Sequence, residues 1–261
     1  MKTDSVNSFA VITGASQGLG KAFAISLAKR KHNVVLISLP NQNLEEVANY
    51  IKTKYNVAVA YFETDLSLDE NVTAITKHLN ENYAIHILIN NAGTGGTRKI
   101  DNVSLDYINT IIQVNVKATT VFTHQLLPNL KKQPKSYILN VSSIAAFSPV
   151  GYKTVYPASK AFIHSFSLGL SEELKNSNVS VSVINPGAMK TNPEITARIE
   201  KQGFVGKLTL LEPRKVAEYS LRKMFKGTTF ILVNPVSWFI STLLPNWIKV
   251  PMMTNIVKRE A

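Results

Sequence analysis

Seven short runs rich in apolar residues, several of them nearly unbroken, punctuate the chain, and several of the segments between them return apolar residues every three or four positions. Phe9-Ala10-Val11-Ile12-Thr13, Val34-Val35-Leu36-Ile37-Ser38 and Ile85-His86-Ile87-Leu88-Ile89 lack the strict alternation of a half-wet strand, so they predict strands buried on both faces. Residues 57–62, 136–141, 179–184 and 228–233 complete the set. Helical periodicity follows at 21–28, 43–51, 111–127, 162–174 and 214–225. Strand alternating with helix predicts an α/β chain: a doubly wound, Rossmann-type parallel sheet of about seven strands, with helices on both faces. With no interdomain linker or internal repeat, residues 1–261 read as a single catalytic-type domain.

Polar and glycine-bearing segments stand where these strands end. They are Gly14-Ala15-Ser16-Gln17-Gly18-Leu19-Gly20, Thr64-Asp65-Leu66, Asn90-Asn91-Ala92-Gly93, Ser142-Ser143 and Asn185-Pro186-Gly187. Ligands of open α/β sheets bind beyond the carboxyl ends of the strands, so one crevice collects them all. The first is a strand, a glycine turn and a helix in succession, which lets backbone approach a pyrophosphate and aims free helix N–H groups at it. Tyr156 and Lys160 lie four apart on a predicted helix, hence on one face. An ammonium beside a phenol lowers the phenol's pKa and makes it a usable acid or base. Taken alone, the same spacing describes a ring packed beside a solvated amine.

Composition narrows the choices. The chain has no cysteine, which excludes disulfides and thiolate metal sites. Its formal charge is +12, but short clusters such as Lys29-Arg30-Lys31 and Lys131-Lys132 fall at predicted helix ends, where cations complement the dipole. Anionic cofactors or substrates, rather than nucleic acid, are the expected beneficiaries. The polar start, Met1 to Ser8, predicts no secretory signal and a cytoplasmic location.

The chain resembles the classical short-chain dehydrogenase/reductase family. The likeness runs over residues 9–233, through Thr13-Gly14-x-x-x-Gly18-x-Gly20, Asp65, Asn90-Asn91-Ala92-Gly93, Asn115, Ser143, Tyr156 with Lys160, and Pro186-Gly187 with Thr191. Singly, Asp65 reads as a helix cap, Asn115 as a mid-helix amide and Ser143 as a turn residue. The resemblance implies an oxidoreductase that interconverts a carbonyl and a secondary alcohol. Tyr156 would be its general acid/base, Ser143 the hydrogen-bond partner of the reacting oxygen, and Lys160 the group that lowers the Tyr156 pKa and holds the nicotinamide ribose. Asn115 would hold a water of a proton relay.

For the cofactor, the resemblance assigns Gly14, Ser16, Gln17, Gly18, Leu19 and Gly20 to the pyrophosphate turn, Asp65 and Leu66 to the adenine, and Asn90 and Gly93 to the adenosine ribose. Pro186, Gly187, Met189 and Thr191 would grip the nicotinamide, and Tyr156 and Lys160 touch its ribose. No metal is implied. The second strand ends in Ser38-Leu39 instead of a carboxylate, so nothing repels a 2′-phosphate and Ser38 can donate to it. That favours NADP(H), with NAD(H) the alternative. Family members are commonly homodimers or homotetramers.

Residues 188–215 fall where the family places a substrate lid. Ile195, Ile199, Phe204, Val205, Leu208, Leu210 and Leu211, mixed with Arg198, Lys201 and Lys207, suit a hydrophobic ketone or a 3-oxoacyl substrate. Residues 234–261 form an apolar extension that proline interrupts too often to span a bilayer. Packing over the cleft, packing against a second subunit and peripheral membrane contact through 235–250 all fit it. The competing classes are a non-catalytic dinucleotide sensor and a membrane-surface protein of the same fold.

Overall fold

The computed structural model describes residues 8–187, 189 and 211–258. Its seven strands are β1 (Ser8–Thr13), β2 (Asn33–Ser38), β3 (Val59–Glu63), β4 (Ala84–Asn90), β5 (Ser136–Val141), β6 (Val179–Ile184) and β7 (Phe230–Ile231). They form one sheet in the order β3-β2-β1-β4-β5-β6-β7, and every pairing is parallel. The helices are α1 (Gly18–Lys29), α2 (Leu44–Tyr55), α3 (Asp69–Asn82), α4 (Leu105–Ile112), α5 (Thr119–Lys131), α6 (Val155–Glu173), α7 (Pro213–Met224), α8 (Pro235–Leu243) and α9 (Asn246–Val257).

The unbroken apolar runs have a direct structural reason. Ala10, Ile12, Val34 and Leu36 face a layer built with Phe23 and Leu27 of α1, Ile51 of α2 and Leu221 of α7. Their neighbours Val11, Val35 and Ile37 face the opposite layer, with Leu79 of α3, Phe122 and Leu126 of α5 and Leu170 of α6. Both faces of the central strands β1 and β2 are therefore dry over these positions, and neither parity there takes a polar residue. Strand order reverses between β1 and β4, which opens a crevice at their carboxyl ends beside Thr13 and Asn90.

His86 breaks this regularity. Phe9 pairs with Ile85 but Ala10 pairs with Ile87, so His86 is the extra residue of a bulge. Its ring stacks on His32, with 2.9 Å between His32 Nδ1 and His86 Nε2. Burial first, and the neighbouring His32 second, bring the His86 pKa down to about 4. Because the native pKa lies below the ordinary 6.5, the unfolded chain binds the extra proton between these values, and stability is lost as pH falls through that window. The loss should reach on the order of 3 kcal/mol. Urea midpoints measured from pH 7 to 4.5 should fall, and His86→Gln should flatten the fall; an equally steep variant would clear His86 of responsibility.

The strands at the sheet edges are shorter than the apolar pattern predicts. β3 starts at Val59, and β7 keeps only two residues, paired to Val183 and Ile184 of β6. The C-terminal extension folds into α8 and α9 despite its prolines. Pro235 opens α8, where a missing N–H costs nothing, and Pro245 stands at the N-cap of α9. Among the described residues, no helix is long and apolar enough to cross a membrane.

Candidate active site

Asn91 fastens the glycine turn in place. Its Nδ2 donates to the carbonyl oxygens of Thr13 (2.9 Å) and Gly14 (3.1 Å), and Thr13 Oγ1 accepts the Asn91 and Ala92 N–H groups at 3.0 Å each. Gly14 (φ +65°) and Gly18 (φ +54°) hold left-handed backbone that glycine alone adopts cheaply. A methyl group on Gly20 would come within 2.0 Å of Gly14 O. At the start of α1, the Gln17 side chain makes no cap bond and the first turn carries no acid. Its N–H groups and dipole are thus left for an anion, and the bare glycine backbone lets that anion approach. A dinucleotide pyrophosphate fits this cradle.

The four chemistry-bearing residues converge from three elements. A single π-type turn, Gln113–Ala118, interrupts the helical run between α4 and α5 and turns the Asn115 amide inward. Asn115 Oδ1 accepts the Thr94 N–H (2.8 Å), while Nδ2 donates to Thr94 O and Ser159 Oγ (2.9 Å each). Ser159 Oγ in turn donates to Tyr156 O (2.7 Å). Lys160 is buried; its Nζ donates to Val141 O (3.0 Å) and stands 5.9 Å from the centre of the Tyr156 ring. Ser142 Oγ donates to Lys160 O (2.7 Å), so the end of β5 grips α6 on both sides of the lysine.

The electrostatics correct one expectation. Burial raises the Tyr156 pKa, opposed by a hydrogen bond with the Ser143 hydroxyl, and burial lowers Lys160 to about 8. Desolvation outweighs that bond, and Ser143 rather than Lys160 is the group that eases ionisation of the phenol. Tyr156 is half-buried, so part of the residue's surface stays exposed.

The cofactor candidates divide into those at the crevice and those turned from it. Ser16 and Ser38 meet at its edge, Ser38 Oγ donating to Ser16 Oγ at 2.8 Å. Beyond them lies a polar cavity of ≈ 500 Å³ bounded by Ser16, Gln17, Lys21, Asn41, Gln42 and Glu46. Asp65 Oδ1 accepts the Ser67 N–H (2.8 Å) and shapes the turn after β3, while Leu66 and Leu19 are buried. The Asn90 amide is the clearest departure. It lies inside the sheet, donating to Thr123 Oγ1 (3.0 Å) and Asn140 Oδ1 (2.9 Å), so only its backbone can meet a nucleotide.

A Cβ on Gly93 would approach Lys160 Nζ at 3.1 Å and Asn115 Oδ1 at 3.3 Å, which places Gly93 beside these two side chains. Pro186 is buried and accepts the Ile144 N–H, and Met189 bridges to Leu211. Thr191 and the lid residues Ile195, Arg198, Ile199, Lys201, Phe204, Val205, Lys207, Leu208 and Leu210 lie outside the described residues. Among the described residues, no group of three or more His, Cys, Asp or Glu side chains could hold a metal.

Gly95 carried no signal in the sequence. A Cβ on it would fall 2.5 Å from Tyr156 Cδ2, so the bare backbone of Gly95 sets the position of the phenol ring. Gly95→Ala should lower kcat about a hundredfold through displacement of the ring, with cofactor affinity kept. Steady-state kinetics beside a cofactor titration would measure this. Unchanged kcat would mean that the ring has slack.

The chain matches the model of the short chain dehydrogenase family over residues 8–202. A very-long-chain 3-oxoacyl-CoA reductase of Rattus norvegicus is 33% identical over 254 residues, covering 92% of this chain and 76% of the relative. A short-chain dehydrogenase from Sphingobium yanoikuyae, solved in complex with NADPH, superposes with a TM-score of 0.77 at 28% identity, over 86% of this chain and 87% of that one. L-sorbose reductase from Gluconobacter frateurii, complexed with NADPH and L-sorbose, gives 0.79 at 26% identity, over 90% and 97%.

Proposed function

The chain belongs to the short-chain dehydrogenase family, and from that premise we propose that it is an NADPH-dependent reductase of a hydrophobic ketone or 3-oxoacyl-type substrate. The coarser part follows from the family: an oxidoreductase of the C=O/CH–OH pair that uses a nicotinamide dinucleotide. The observation that carries the reading is the meeting of Tyr156, Ser143, Lys160 and Asn115 beside the glycine turn. A nucleotide sensor would need none of the four.

When bound, the nicotinamide supplies or accepts the hydride. The chain does the rest. Ser143 and Tyr156 bracket the carbonyl oxygen, so negative charge that develops there meets two hydroxyl donors in a dry site. Tyr156 delivers its proton to that oxygen in reduction and takes it back in oxidation. The Ser143 hydroxyl eases the phenolate left behind by hydrogen-bonding it, and Lys160, 5.9 Å from the ring centre, is placed to hold the nicotinamide ribose. Asn115 anchors Thr94 and Ser159 around the pair.

The NADPH preference is supported by the strand end at Ser38-Leu39, which brings no carboxylate, by the polar cavity beyond it, and by the NADPH held in the two solved neighbours. The apolar lid sequence and the rat relative's acyl substrate support the substrate class. A homodimer or homotetramer is part of the same proposal; Phe162 and Leu168 of α6 are exposed in the single chain. The test is a carbonyl screen followed by loss of reduced-nicotinamide absorbance with both cofactors. NADPH should exceed NADH in kcat/KM by about tenfold or more, and 3-oxoacyl thioesters and bulky ketones should exceed small polar ones. A clear NADH preference, or turnover confined to small polar ketones, would remove the respective half of the proposal.

A further inference from the structure

We propose that the corner formed by α8 and α9 docks this protein on an anionic lipid bilayer, next to the mouth of the crevice. The corner is unusually apolar for an outer surface: Phe239 is 58% exposed, Leu243 61%, Trp247 78%, Ile248 38% and Met252 40%. Phe239 and Leu243 share one face of α8, Ile248 and Met252 share one face of α9, and Trp247 stands at the turn between the helices. Such a surface of aromatic and aliphatic side chains suits the boundary between headgroups and acyl chains, where a tryptophan ring is at home.

The corner is rigidly mounted. Lys249 is buried, and its Nζ donates to Ser241 O of α8 and to Phe147 O (2.6 Å), in the segment that joins Ser143 to Tyr156. Thr254 Oγ1 accepts the Gly151 N–H (2.9 Å) in that same segment. Trp238 packs on Phe230, with ring centres 6.0 Å apart. The patch therefore moves with the loop that carries the acid/base, and not as a loose tail.

Charge selects the occupant. Between Glu218 and Glu260 the sequence contains no acidic residue. The Lys249 charge is spent inside, but Lys258 is exposed at the end of α9. Arg98 and Lys99 stand near α9 through the 151–152 turn: Arg98 N donates to Tyr152 O (2.6 Å), and Lys99 Nζ lies 5.9 Å from the Tyr152 ring. Asp101 follows them and is outnumbered. A second copy docked on this corner would bring the same local cations against themselves, whereas anionic headgroups neutralise them. Apolar insertion and cation attraction together make a stable attachment where either alone is marginal.

The test uses the full chain and vesicles of phosphatidylcholine, with or without phosphatidylglycerol, read by co-sedimentation. Wild type should partition onto the anionic vesicles and lose about tenfold or more in the triple variant Phe239→Ser, Leu243→Ser, Trp247→Ser. Binding should weaken on neutral vesicles and at high salt. Circular dichroism checks the fold of the variant. As a second measurement, Trp238→Phe leaves Trp247 the sole tryptophan, and its emission should shift to the blue when anionic vesicles are added. Equal partitioning of wild type and triple variant, no blue shift, or a dimer that the triple variant dissociates while wild type ignores vesicles would each overturn the proposal. The readout is partitioning and not turnover, so its failure leaves the reductase reading standing, and failure of that reading leaves the docking test unaffected.

Discussion

Replacement of Tyr156 by Phe should cut carbonyl turnover about a thousandfold while cofactor affinity stays within a few-fold of wild type. The ring remains in place against Gly95, Lys160 and Asn115 keep their own partners, and Ser143 loses its bond to the phenol but still accepts the Ala145 N–H. What disappears is the hydroxyl proposed to hand a proton to the oxygen. The residual rate would come from Ser143, whose hydroxyl can polarise a carbonyl but is a poor acid. Stopped-flow turnover and fluorescence titration of the reduced cofactor on the same preparation separate the two effects. Activity surviving the change would sink the acid/base assignment. Loss of cofactor binding in parallel would show that the phenol serves the nucleotide more than the substrate.

Gly20→Ala should remove cofactor binding almost completely, with affinity down by about a hundredfold or more and thermal stability lowered. The new Cβ would sit 2.0 Å from Gly14 O and 2.6 Å from Asn91 Nδ2. Backbone cannot step aside as the far end of a side chain can. The turn must open, and with it go the Asn91 bonds to Thr13 and Gly14 and the aim of the N–H groups at the start of α1. Gly169 provides the control, since a Cβ there meets nothing within 4 Å and lies in the middle of α6. Gly169→Ala should leave binding unchanged and add up to about 1 kcal/mol of stability. Wild-type affinity in Gly20→Ala would mean that the turn is not the pyrophosphate site.

Most of the architecture was legible in the pattern of apolar residues, because a parallel sheet covered on both faces imposes its demand locally. Every position of Val34-Val35-Leu36-Ile37 must be apolar whichever layer it faces, and no distant residue alters that. The glycine turn was equally legible, since a positive φ at Gly14 and Gly18 is a property of the residue's own backbone. The Tyr156–Lys160 spacing came from helix geometry alone.

Other features lay beyond the reach of pattern. His86 sits in an apolar run whose period says nothing about a bulge; the bulge arises from how β1 and β4 register, residues 9–10 against 85–87. Asn90 and Asn91 are adjacent and chemically identical, yet one amide faces the interior of the sheet and the other ties down the glycine turn. Strand pleating in the assembled sheet separated them. The contact of Gly95 with Tyr156, the grip of Lys249 on Phe147 and the tie of Thr254 to Gly151 join segments far apart in the chain.

By itself the sequence determined the element order, the parallel sheet, the glycine turn and the placing of Tyr156 and Lys160 on one helix face, because backbone sterics and burial period act over a few residues. The tertiary structure alone decided that burial raises the Tyr156 phenol against the pull of Ser143, that Gly93 lies against Lys160 and Asn115, and that the C-terminal helices brace the Ser143–Tyr156 segment while turning an apolar corner outward. Desolvation and the choice of side-chain partner depend on which distant segments pack around a group, and that exists only once the chain is folded.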